Sequence, residues 1–203
     1  MYLARINMRW LGLTGFTLIL TASLSYANTI TITQTGVGSG EIGSTSFTDA
    51  AFTITEIGDT SDVTPFVEGE FFIDTSASIT ISGVGTLDFT SATSTFVNND
   101  LDEVGFGRPF RDLYEGPHNA AFATWNMLSS IGPISGKAEL LQWKLFPVET
   151  SGGVLAFNRG LSDTEFTATV SPVPEPRTLP LLGIGLAGTM IFTTRRKRLP
   201  SRG

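Results

Sequence analysis

Cysteine is absent from the 203 residues. That excludes disulfide staples, CxxC redox chemistry, thiolate metal sites, cysteine nucleophiles and a lipid-bearing lipoprotein cysteine. Charge is sparse at 16% of residues, and Asn28 to Asn99 contains no Lys or Arg at all. Residues 28 to 172 carry 18 Asp and Glu against five basic residues, a formal charge of −13. A basic face for nucleic acid or anionic headgroups is therefore excluded from this stretch. Histidine occurs once, as His118, and no Gly-x-Ser-x-Gly elbow exists to supply a serine nucleophile for a triad. Long apolar runs are missing too. The two that exist, Trp10 to Leu24 and Leu179 to Thr194, fall short of the ~20 residues of a comfortable membrane span.

Those two short runs have informative flanks. Arg5 and Arg9 precede the first, and Ser25-Tyr26-Ala27 follows it with small residues where a signal peptidase reads. The expectation is a signal peptide over residues 1–27, cut between Ala27 and Asn28. The second run follows Val173-Pro174-Glu175-Pro176 and precedes Arg195-Arg196-Lys197-Arg198. As a helix over 179–194 it would cover about 24 Å of a ~30 Å hydrocarbon core, a marginal span. The basic cluster predicts a cytoplasmic end, with residues 28–172 exported. Pro174 and Pro176 restrict the backbone on both sides of Glu175 to extended conformations that a peptidase cleft accepts.

Motif, short Gly-rich helix and basic end, in that order, resemble the PEP-CTERM sorting signal of Gram-negative bacteria that make extracellular polysaccharide. The resemblance covers only residues 173–198. It implies processing near Pro174-Glu175-Pro176 by an exosortase, a membrane protease-transpeptidase. The partners expected are thus signal peptidase, exosortase, the membrane as a transient anchor and exopolysaccharide, with no nucleic acid. The destination expected is the cell surface or its matrix.

Between the signals the composition is that of a β protein. Asn28 to Asn99 holds 16 Thr and nine Ser, alternating with Ile and Phe. Thr29 to Thr33, Phe52 to Thr55, Ile79 to Ile81 and Leu87 to Phe89 have period two. Phe66 to Asp74, Leu140 to Phe146, Val154 to Phe157 and Phe166 to Val170 are further strand candidates. Gly36 to Gly40, Gly58-Asp59, Gly83 to Gly85, Asn98 to Asp100, Gly132-Pro133 and Ser151 to Gly153 read as turns. The fold expected is all-β, an antiparallel sandwich or flattened, jelly-roll-like barrel of roughly eight to ten strands. Residues 119–130 admit a short helix or a strand, and strand is the preferred reading.

Candidate chemistry in this body is thin. Gly38-Ser39-Gly40-Glu41-Ile42-Gly43 matches GxGxxG, but no helix opens at its glycines, so it reads as a loop. Asn98, Asp100 and Asp102 alternate as in a calcium loop. Glu103 and Pro109 then occupy the positions where an EF-hand needs a glycine and a bidentate carboxylate, leaving at most an irregular Ca2+ site. Glu68 and Glu70, two apart on one predicted strand, stand about 6 to 7 Å apart like a glycosidase pair, or form a solubilising face. Tyr114, Trp125 and Trp143 are the candidates for stacking on sugar rings, against the alternative of core positions. No catalytic residue and no cofactor is assigned. The body reads as a non-enzymatic structural or adhesion component, with a carbohydrate-binding module and a polysaccharide hydrolase as alternatives.

Overall fold

Alternation of β-branched or aromatic residues with small polar ones is the pattern of a strand with one buried face, and it dominates the architecture. The computed structural model describes residues 28–172 except 110 and 160. The signal-peptide segment up to Ala27, the motif Val173 to Pro176, the run 179–194 and the cluster Arg195 to Arg198 lie outside the described residues. The strands are β1 (Asn28–Ile42), β2 (Thr45–Asp59), β3 (Thr64–Pro65), β4 (Glu70–Ile81), β5 (Gly85–Asp88), β6 (Thr93–Asn98) and β7 (Glu103–Arg108). They continue with β8 (Arg111–His118), β9 (Ile131–Gly136), β10 (Glu139–Leu140), β11 (Val148–Thr150), β12 (Gly153–Phe157) and β13 (Ser162–Pro172). No α-helix occurs among the described residues.

The sheet runs β10-β8-β7-β6-β4-β2-β1-β12-β11, with β13 on β1, β9 on β13, and β3 and β5 beside β4. Two long strands change partners along their length. β4 pairs with β6 through Glu70 to Thr75 and with β2 through Ser76 to Ile81. β1 pairs with β13 through Asn28 to Val37 and with β12 through Gly40 to Ile42. This handover curls one antiparallel sheet into a half-barrel, the form that the expected sandwich or barrel takes.

Inside the curl lie two apolar clusters. One gathers Phe52, Ile54, Ile79, Phe106, Trp143 and Phe157; the other gathers Ile30, Ile32, Ile73, Phe122, Trp125 and Phe166. Burying each such side chain contributes roughly 1.5–3 kcal/mol. On β4 the two clusters take Ile79 and Ile73 respectively, and Thr75 sits between them.

Several sequence expectations are corrected. Gly36 to Gly40 is not a turn but the continuation of β1, and the chain reverses at Gly43-Ser44. The missing side chains make room: a Cβ on Gly36 would meet the Phe52 ring at 2.8 Å, and one on Gly40 would meet the Ala156 carbonyl oxygen at 2.2 Å. Leu140 to Phe146 is not a strand. After β10 the chain turns, with the Leu145 and Phe146 amides bonded to the Gln142 carbonyl, burying Trp143 and leaving Leu145 73% exposed. Gly132-Pro133 lies within β9 rather than in a turn. Residues 119–130 form neither a strand nor a longer helix: a 3-10 turn spans Ala120–Thr124, capped by the Asn119 side chain accepting from the Ala121 amide.

Candidate functional site

His118 ends β8 and Glu103 opens β7, and the two are cross-strand partners. Glu115 pairs with Gly105 further along the same ladder, where the register shifts at a bulge between Glu103 and Gly105. In a regular strand, residues 115 and 118 would point to opposite faces. The extra residue of the bulge re-aims one of them. Gly116 makes the bend at φ +115°, and a Cβ there would lie 2.4 Å from the Lys137 carbonyl oxygen, so the position requires glycine.

The result is a cluster of two carboxylates and one imidazole whose ligating atoms all lie within 4.8 Å of one another. His118 Nδ1 is 3.3 Å from Glu103 Oε2 and 3.4 Å from the Leu101 carbonyl oxygen. The Glu103 side chain is 5% exposed and that of His118 is 47% exposed. Burial first, then repulsion from Glu115, pushes the Glu103 carboxyl up to about 7, while His118 pulls it the other way. Burial also raises Glu115, opposed by His118 and reinforced by Glu139, its partner across the β8–β10 pairing, and by Asp112. Glu103 has no hydrogen-bonding partner among the described residues other than His118.

The residues singled out in the sequence fall elsewhere. Asn98 accepts the Asp100 and Leu101 amides through Oδ1 and donates from Nδ2 to Glu70 Oε1 at 2.8 Å, so its side chain is committed to the β6–β7 turn. Asp100 and Asp102 occupy that turn, with Asp102 at φ 57°. Among the described residues neither joins a group of three potential metal-ligating side chains. Glu68 lies in the turn before β4 rather than on the strand with Glu70, which separates the supposed pair. Asn28 starts β1 opposite Pro172.

Tyr114, Trp125 and Trp143 are all core residues, 2%, 4% and 0% exposed. Tyr114 and Trp143 stack at 6.2 Å with an 8° angle between their planes. Trp125 packs edge-on to Phe166 at 5.5 Å and donates from its indole nitrogen to the Ser129 carbonyl at 2.8 Å. No exposed ring face is left on any of the three for a sugar.

Sequence reasoning missed two features. Glu103 and Glu115 carry no spacing signal, because a bulge and not a periodicity joins them to His118. Glu56 is fully buried, and a signal did exist: it continues the inward series Phe52, Ile54 along β2. Burial pushes its carboxyl up to about 7 against hydrogen bonds from Thr95, Gln34 and Thr75.

Against known proteins, residues 172–197 match the PEP-CTERM protein-sorting motif. No curated protein and no solved structure matches the chain significantly. No helix among the described residues is long and apolar enough to cross a membrane.

Proposed function

We infer from the sorting motif over residues 172–197 that the chain is an exported substrate of exosortase processing, and what the β-domain does after sorting starts from that premise. We propose that it is a non-enzymatic structural or adhesion component of the cell surface, associated with exopolysaccharide in a biofilm matrix. The observation that carries the proposal is this motif joined directly to a domain of 18 acidic and five basic residues. A strongly acidic, strand-built domain stays soluble and self-repelling in the exterior and is suited to spacing or bridging. The glycosidase-like pair on one strand is not formed. Glu68 and Glu70 do not share a strand, and Asn98 ties up one oxygen of Glu70.

A carbohydrate-binding role has one specific observation in its favour, remote from the buried tryptophans. Arg108 and Arg111, two of the five basic residues in 28–172, line an open depression of about 410 Å³ with Ser91, Ala92 and Pro109. The guanidinium carbons of both lie over the Phe146 ring, at 6.0 and 4.5 Å. Planar guanidinium groups suit the carboxylates of acidic sugars.

The test is a deletion strain complemented with the full chain. The structural reading expects loss of matrix cohesion on deletion, restoration by the wild-type chain, and no depolymerisation of the host's polysaccharide by the exported protein. Shortened polysaccharide chains would overturn it in favour of a hydrolase. Tight binding lost in an Arg108→Ala/Arg111→Ala variant would favour the binding module.

A further inference from the structure

Glu103, Glu115 and His118 are brought together by two backbone features. The bulge between Glu103 and Gly105, and a glycine at position 116 that tolerates no Cβ, turn side chains from two strands to one point. The Glu103 side chain is 5% exposed there, and among the described residues no N–H or O–H from outside the trio reaches its carboxylate. A buried carboxylate ordinarily collects several donors. Its only partner among the described residues is His118 at 3.3 Å, longer than the ~2.7–2.9 Å of a charge-assisted hydrogen bond. That separation is close to the ~3.4 Å edge of a tetrahedron whose centre-to-ligand bonds are ~2.0–2.1 Å.

We propose that Glu103, Glu115 and His118 form a binding site for a divalent transition metal of the zinc class. The donor set selects the class. Calcium and magnesium take oxygen ligands in sixes to eights, whereas an imidazole with two carboxylates suits Zn2+ or a neighbouring first-row ion. Glu103 is the fixed ligand, buried at the start of β7. Glu115 and His118 are more exposed and close on the ion, bringing the 4.8 Å spread of the trio down to bonding range. A divalent ion also cancels the repulsion between the two carboxylates in a domain that is already strongly acidic. The bound ion cross-links the opening of β7 to the end of β8, stapling the hairpin where the chain leaves for the 3-10 turn. The site does not depend on the sorting route and stands or falls apart from it.

The experiment uses the exported protein, stripped with chelator and titrated with Zn2+ alone, then with Ca2+ alone. One equivalent of zinc should bind by calorimetry and elemental analysis. At a hundredfold excess over Kd the melting temperature should rise by roughly 5–10 °C. Calcium at the same concentration should give neither. His118→Ala and Glu115→Gln, both at the exposed side of the cluster, should weaken zinc binding by at least roughly 100-fold, beyond what loss of an outer hydrogen-bond partner costs. Circular dichroism should show both variants folded. Glu103→Gln should do the same, and if it fails to fold, the other two variants decide. Absence of stoichiometric zinc binding overturns the site, as does equal binding by His118→Ala and wild type, or a calcium response as large as that to zinc.

Discussion

Gln34 donates from Nε2 to Glu56 Oε1 across 2.7 Å, joining β1 to β2 inside the core, where the two side chains are 1% and 0% exposed. The bond belongs to a chain of polar groups. The Tyr114 hydroxyl donates to Gln34 Oε1, and Thr75 and Thr95 reach Glu56 Oε2 at 2.9 and 2.5 Å. Among the described residues no cation approaches Glu56. Thr93 donates to the Thr75 carbonyl at 2.7 Å and also lies 3.1 Å from the Thr75 hydroxyl. With Glu56 ionised, the single Thr75 hydroxyl hydrogen must serve both Glu56 and Thr93. A proton on Oε2, donated to Thr75, frees that hydrogen for Thr93 and completes every contact. Proton bookkeeping and desolvation thus agree that the core favours the neutral acid.

The pH dependence follows from that preference. The unfolded carboxyl titrates near ~4.3, whereas burial pushes Glu56 up to about 7 in the fold. Between those values the folded state holds a proton that the unfolded state has released, so stability falls as pH rises. The loss is complete only about one pH unit above 7 and amounts to roughly 3–4 kcal/mol. Glu103, Asp112 and Glu115 are shifted in the same direction, so the contribution of Glu56 is read as a difference. Glu56→Gln keeps an oxygen for Gln34 and offers an amide to the threonines. Urea melts at pH 5 and pH 7.5 should show a clearly smaller loss for this variant than for wild type. Equal slopes would mean that Glu56 is ionised throughout.

How much of this was legible in the sequence depends on what each element relies on. β1, β2, β12 and β13 announce themselves, because their cores are built from alternation alone. Thr29 to Thr33 and Phe166 to Val170 need no partner to be read. β7 hides behind Gly105 and Gly107, residues that weaken strand preference but are required here: a Cβ on Gly105 would meet the Phe96 ring at 2.3 Å. Trp143 was misread for the converse reason. Its alternation with Leu141 and Leu145 is real in sequence, but a turn buries the tryptophan alone. His118 was visible as the sole histidine, while its carboxylate neighbours were not, since a one-residue bulge decides who meets it.

Gly40→Ala tests the close approach of β1 to β12. The added methyl would sit 2.2 Å from the Ala156 carbonyl oxygen and 2.8 Å from the Phe47 ring, and a backbone oxygen cannot step aside as a side chain can. A loss of roughly 2–3 kcal/mol is expected, the range of overpacked cores. A denaturation midpoint unchanged from wild type would show that the strands are further apart than described.

The tryptophans and the arginines make opposite predictions. Trp143→Ala removes a fully buried ring that packs on Phe106, Tyr114 and Phe157 and donates to the Leu155 carbonyl. It should cost about 3–5 kcal/mol, so any loss of polysaccharide binding would accompany loss of the fold. Arg108→Ala/Arg111→Ala alters an open depression and should leave far-UV circular dichroism unchanged. Binding to an acidic polysaccharide that survives the arginine changes in a folded protein would rule the depression out as the contact surface.

The sorting motif yields the prediction with the most separable outcomes, because its three parts do different jobs. Pro174 and Pro176 restrict the backbone beside Glu175, the segment at which the proposed exosortase processing would act. The run 179–194 is marginal as a span, and on the proposed topology Arg195, Arg196, Lys197 and Arg198 hold the cytoplasmic side. Replacing Glu175 and Pro176 by alanine should leave export and insertion intact while blocking processing. The chain then accumulates at full tail length in the inner membrane. Neutralising Arg195 to Arg198 removes the charges that resist translocation, each costly to move through the bilayer, so the unprocessed protein should slip into the periplasm instead. Fractionation with an antibody against the β-domain distinguishes the two compartments, and gel mobility distinguishes processed from unprocessed chains. If the Glu175/Pro176 variant reaches the surface at the parental size and rate, residues 172–197 act only as an anchor and the domain reaches the exterior by another route.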